Sequence, residues 1–170
     1  FTSRLNHNLR ETHGYTYGAR SDFDMRRAPG PFSAGAGVQT DKTAESVREF
    51  FNEFAGMQKP IPADELAKAK NYVALGYPGE FETSGDIAGG LATLFVYGLP
   101  EDYPSRFVAR TLAVTQADIS AVATKYLDAN RFVVLVVGDR AKIEAPLKAL
   151  NLGPVRVMNV DEVMGESESR

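Results

Sequence analysis

The hydrophobic pattern of the 170 residues predicts an α+β fold, a mixed or antiparallel sheet packed against several helices. Three observations predict it. Two strand-like stretches, 15–25 and 32–39, come early and are joined by a turn rich in proline and glycine. Helical stripes and helix-start signals fill the middle of the chain, from 43 to 126. A valine-rich run, "RFVVLVVGD" (131–139), ends that block and leads through one short helix to "PVRVMNV" (154–160). Strands and helices therefore segregate instead of alternating.

Residues 2–12 read as the tail of a helix: Leu5 and Leu9 are four apart, and Gly14 stands where a left-handed C-terminal cap belongs. Residues 15–25 read as a strand with Tyr15, Tyr17, Ala19 and Ser21 on one face. "RRAPGP" (26–31) is a turn, and "FSAGAGVQ" (32–39) returns as a second strand whose small residues, Ala34 to Gly37, allow close packing on its face. Thr43 or Asp41 can cap the next helix, whose Val47, Phe50, Phe51 and Phe54 form a core-facing stripe. Pro60 and Pro62 break the chain before a helix starting near Ala63, and "GYPGEF" (76–81) reads as a loop. Capping boxes at Thr83/Asp86 and Thr115/Asp118 start helices of about 14 and 12 residues. Between them a helix spans about 103–113. The run at 131–139 has the composition of a strand buried on both faces. A short helix with Pro146 in its first turn then ends near Leu150, ahead of the strand at 154–160. An isolated hairpin is barely stable, so the early and late strands are expected to share one sheet. That sheet still reads as short, and a chain opening in mid-helix suggests further strands before Phe1. The domain is placed at 1–160, with its start missing, and 161–170 is a polar tail.

Composition narrows the functional classes. Nineteen Lys and Arg against 22 Asp and Glu give a net charge of −3, with no electrostatic footprint for nucleic acid. No apolar run approaches the roughly 18 residues of a membrane span. With no cysteine, neither a disulfide nor a thiolate zinc site can form. The two histidines, His7 and His13, are six apart and do not share a helical face. They cannot supply the three ligands and general base of a zinc hydrolase, and no H-x-x-E-H occurs in either direction. Metal ligands are therefore none, and no cofactor is expected on this chain. Glu80, Glu82 and Asp86 match no calcium loop, the glycines at 35–37 and 85–90 lack a phosphate-binding pattern, and Ser3, Ser21 and Ser33 sit in no nucleophile elbow.

Four segments in order, "SRLNHNLRETHGYTYGARSDF" (3–23), "GPFSAGAGVQTDKTAESVREFFNEF" (30–54), "GEFETSGDIAGGLATLFVYGLPEDY" (79–103) and "VTQADISAVATKYLDANRFVVLVVGD" (114–139), resemble the second, non-zinc half of the pitrilysin/insulinase metallopeptidases. The resemblance runs from about Ser3 to Val157. It implies a half-unit of a fold in which two homologous α+β halves close on an extended peptide. One half carries the zinc, and the other supplies an arginine and a tyrosine that face the metal. The family pattern L-R-E-x-x-G-x-x-Y falls here on Leu9, Arg10, Glu11, Gly14 and Tyr17. Tyr15 lies two residues early and is not the motif tyrosine.

The resemblance thus implies that Tyr17 is catalytic and that Arg10 and Tyr17 bind substrate. A tyrosine O–H can stabilise the oxyanion of a tetrahedral intermediate, and an arginine can hold substrate carbonyls. The implied partners are a zinc-bearing homologous half or subunit, which would hold the zinc, and an extended peptide. The expected exposed sheet edge adds self-association. The chain alone would be inactive. Analogy with short bacterial relatives suggests the periplasm, although the residues themselves leave the compartment unknown. The alternative is a non-catalytic structural or assembly subunit with the same fold. A third reading is an unrelated α+β binding module.

Overall fold

In the computed structural model, residues 3–159 and 162–163 are described. Helix α1 (Arg4–Asn6) runs directly into a π-helical segment, His7–Thr12. A left-handed Gly14 (φ 64°) then turns the chain into strand β1 (Thr16–Phe23), which pairs antiparallel with β2 (Phe32–Val38). Next come a 3₁₀ turn (Thr40–Lys42), α2 (Thr43–Met57), α3 (Ala63–Gly76), a second 3₁₀ turn (Tyr77–Phe81), α4 (Ser84–Tyr97), α5 (Tyr103–Ala113) and α6 (Gln116–Tyr126). A short 3₁₀ turn (Ala129–Arg131) and α7 (Arg140–Lys148) complete the described elements. The α+β class is as expected. Both capping boxes are formed: the Thr83 and Thr115 hydroxyls accept from Asp86 N and Asp118 N, and the two aspartates accept from the threonine backbones in return.

The apolar stripe of α2 meets the hairpin as its spacing requires. Leu5, Leu9 and Ala19 form one buried cluster with Tyr15, Ala34, Ala36 and Phe50 against it. Phe54, Ala123 and Leu127 form a second with Phe32 and Phe132. The Phe54 ring centre lies 5.0 Å from that of Phe132 and 5.7 Å from that of Phe32, within the range of favourable aromatic pairs. Arg4 fixes the other side of α1, donating to both Glu65 carboxylate oxygens on α3 at 2.5 and 2.8 Å.

The late segments differ from expectation. The sheet among the described residues holds only β1 and β2. The run at 132–138 is neither paired nor buried on both faces: Val133, Leu135 and Val137 are 95%, 84% and 91% exposed. Among the described residues its backbone makes no hydrogen bond, and nor does that of 154–158. Val134 and Val136 of the run line a cavity of about 590 Å³ together with Ala34, Ala36, Ser46 and Phe50. Buried Ser46 Oγ has no hydrogen-bond partner among the described residues. Composition favours a strand, but a strand needs a neighbour within about 4.8 Å, and among the described residues none pairs with this run.

Three smaller corrections are local. Residues 77–81 form a 3₁₀ turn rather than a loop, with Tyr77 stacked on Phe107 at 4.1 Å. Pro146 sits in the last turn of α7, because Asp139 caps that helix and sets its start earlier. Neither Thr43 nor Asp41 caps α2, since the 3₁₀ turn delivers the chain to it and the Thr43 hydroxyl donates to Thr40 O. The polar stretch 165–170 and Val160 of the last expected strand lie outside the described residues.

Candidate functional site

Arg10 and Tyr17 come from two backbone irregularities placed on either side of Gly14. Arg10 sits in the π-helical segment, where the wide turn is closed by His13 N donating to Asn8 O at 3.0 Å. Tyr15 N then donates back to Leu9 O at 2.8 Å, which ties the start of the hairpin to the helix end. Leu9 is fully buried and anchors this segment, so its neighbour Arg10 is aimed toward the surface with its side chain 31% exposed. Single π-helical turns store one extra residue, a device common at functional sites.

The second irregularity lies in β1. Thr16 pairs with Val38 and Ala19 with Ala36, so Tyr17 and Gly18 together stand opposite Gly37 alone. This is a β-bulge, which bends the strand and re-aims a side chain. Its effect on the face pattern is direct. Ala19 is buried, Tyr15 packs on the same core cluster, and Tyr17 between them is 83% exposed. The strict alternation expected for Tyr15, Tyr17 and Ala19 is broken by the extra residue. Tyr15 instead stacks on His13, with ring centres 4.9 Å apart.

The two irregularities bring the pair together. The Arg10 guanidinium carbon lies 5.1 Å from the centre of the Tyr17 ring, a cation–π contact, while Arg10 Nε stands 3.5 Å from Glu11 Oε1. Around them the outward face of β2 carries Ser33, Gly35 and Gly37. A side chain added at Gly35 or Gly37 would meet only open space. The small residues therefore split by face: Ala34 and Ala36 pack inward, and Gly35 and Gly37 leave a bare strip beside Tyr17. A bare strand face lets another backbone approach closely. A phenol donor, a guanidinium and that strip can hold the carbonyls of an extended chain.

Two supporting residues were not singled out by the sequence. Asn6 is buried; its Nδ2 donates to Ala19 O at 2.8 Å, and its Oδ1 accepts from Ala19 N at 3.0 Å. The Thr16 hydroxyl bonds across the bulge. Gly18, a lone glycine inside a strand pattern, was the signal that could have found the bulge. Asn6 left no such signal. His7 and His13 are both exposed, and among the described residues no group of three or more His, Cys, Asp or Glu side chains is arranged to hold a metal ion. Nor, among them, is any helix long and apolar enough to cross a membrane.

Residues 1–73, which include the π-helical segment, the hairpin and α2, match the family model described as the peptidase M16 inactive domain. A crystal structure of a peptidase M16 inactive domain from Pseudomonas fluorescens is similar over 75% of this chain, with 29% identity and a TM-score of 0.68. The present chain spans 31% of that chain's length. No curated protein matches.

Proposed function

We propose that this chain, an inactive half-domain of the M16 peptidase family, is the substrate-binding half of a zinc peptidase. The observation that carries the reading is the contact between Arg10 and Tyr17 on the exposed hairpin face. The two motif residues, seven apart in sequence, meet across a π-helical turn and a β-bulge. An extended peptide lies along the bare strip of Gly35 and Gly37. Arg10 holds its carbonyls by charge-assisted hydrogen bonds, and Tyr17 donates to the oxygen that becomes negative as the amide is attacked. Zinc and its activated water come from a homologous half, on the same polypeptide or on a partner, so the chain alone does not hydrolyse peptides.

The non-catalytic assembly reading draws on a different observation, the exposed Val133, Leu135 and Val137. An unpaired apolar segment of this kind invites another chain. Mixing experiments separate the two. Under the peptidase reading, this chain and the zinc-bearing half each fail alone and cleave peptides together. An active zinc-bearing half that gains nothing from this chain leaves only assembly.

A further inference from the structure

We propose that Thr16 is a positioning residue for Tyr17, acting through the hydroxyl that holds the bulge in register. The inference rests on the reading of Tyr17 above and adds a residue to it. At a bulge the ladder is interrupted, and backbone groups lose their cross-strand partners. Here the Thr16 side chain takes their place. Its Oγ1 lies 2.6 Å from Gly37 O and 3.0 Å from Gly18 O, and it accepts from Gly18 N at 3.1 Å. One hydroxyl proton serves the two carbonyls, with Gly37 O the nearer, and a lone pair takes the amide. The hydroxyl thereby joins β2 to the residue just after Tyr17, across the place where two residues face one.

The alternative state is near. A β1 paired without the extra residue would shift by one position, and a one-residue shift sends each side chain to the opposite face. Tyr17 would then point to the core side and leave Arg10. Asn6 holds Ala19 from the far side of the bulge through both of its backbone groups, so the C-terminal part of β1 is fixed independently. Thr16 is the residue on the near side, and the conformation of Tyr17 depends on both anchors. A ring misplaced by about 1 Å lowers turnover by up to about a hundredfold without removing any group that touches substrate.

The test uses the chain together with its zinc-bearing half. Thr16→Val keeps the β-branched shape and removes the hydroxyl, and Thr16→Ser keeps the hydroxyl. Two readouts are taken: kcat and KM on a peptide, and the NMR shift of the Arg10 side-chain protons, which the Tyr17 ring current displaces. Thr16→Val is expected to lower kcat about tenfold or more with KM little changed, and to abolish the ring-current shift. Thr16→Ser restores both. If Thr16→Val does not fold, Thr16→Cys, with its weak donor, takes its place and is expected to fall between the serine variant and complete loss of the shift. An unchanged Arg10 shift and unchanged kcat in a variant lacking the hydroxyl, beside a strong Tyr17→Phe defect, overturns the role of Thr16 and leaves Tyr17 standing. A Tyr17→Phe enzyme with full activity overturns the reading of Tyr17 instead, and the Arg10 shift alone then decides whether Thr16 positions the ring.

Discussion

Both backbone groups of Ala19 are bonded to one side chain, that of Asn6, thirteen residues earlier in the chain. The Asn6 amide acts as a substitute for a neighbouring strand. It ties the helix that precedes Arg10 to the strand that follows Tyr17, so one side chain joins the two halves of the site.

Replacing Asn6 by alanine leaves the N–H and C=O of Ala19 buried without partners. The expected loss is about 1–3 kcal/mol of unfolding free energy, the range for a buried backbone group left unpaired. Urea denaturation measures it as a lower midpoint at unchanged slope. A change within experimental scatter would mean that water reaches Ala19 and that the clamp contributes little.

Purified chain should carry no stoichiometric zinc. His7 and His13 are exposed and separated, and carboxylates alone make a poor site for this metal. Elemental analysis reads it directly, and about one tightly held zinc per chain contradicts the division of labour between two halves.

The valine-rich run has its own expected behaviour. A six-residue stretch without charge or proline, with alternate side chains almost fully exposed, is an open pairing edge. At high concentration the chain should sediment as a dimer or larger, and Leu135→Lys should shift it toward monomer, since a charge at an edge discourages pairing. A monomeric parent chain at the same concentration contradicts this.

Much of the fold was legible from residue patterns. Phe50 and Phe54 in α2, the two threonine–aspartate boxes and the hairpin itself all follow local rules that hold regardless of the rest of the molecule. The composition of the run at 131–139 predicts a strand that does not form, because β composition describes what a segment can pair with, and pairing depends on a neighbour elsewhere. The site was legible as a pair of residue types and not as a geometry. Nothing in "NLRETHGYTYG" announces a π-helical turn, and strand alternation assigns Tyr15 and Tyr17 to the same face. One inserted residue in β1 undoes that assignment, and only Gly18 hints at it.

The most direct test of the central claim compares two tyrosines in the complex with the zinc-bearing half. Tyr17→Phe removes only the outward phenol O–H. It should lower kcat by about 10²–10³, as loss of an oxyanion donor does, with a much smaller change in KM. Arg10→Ala should weaken binding and turnover together, because it holds carbonyls in ground and transition states alike. Tyr15→Phe keeps the ring stacked on His13 and packed on the core, and should stay near the parent rate. Steady-state kinetics on the three variants give the answer. A large kcat loss at Tyr17 alone among the tyrosines is the result the account predicts, and equal, small effects at Tyr17 and Tyr15 contradict it.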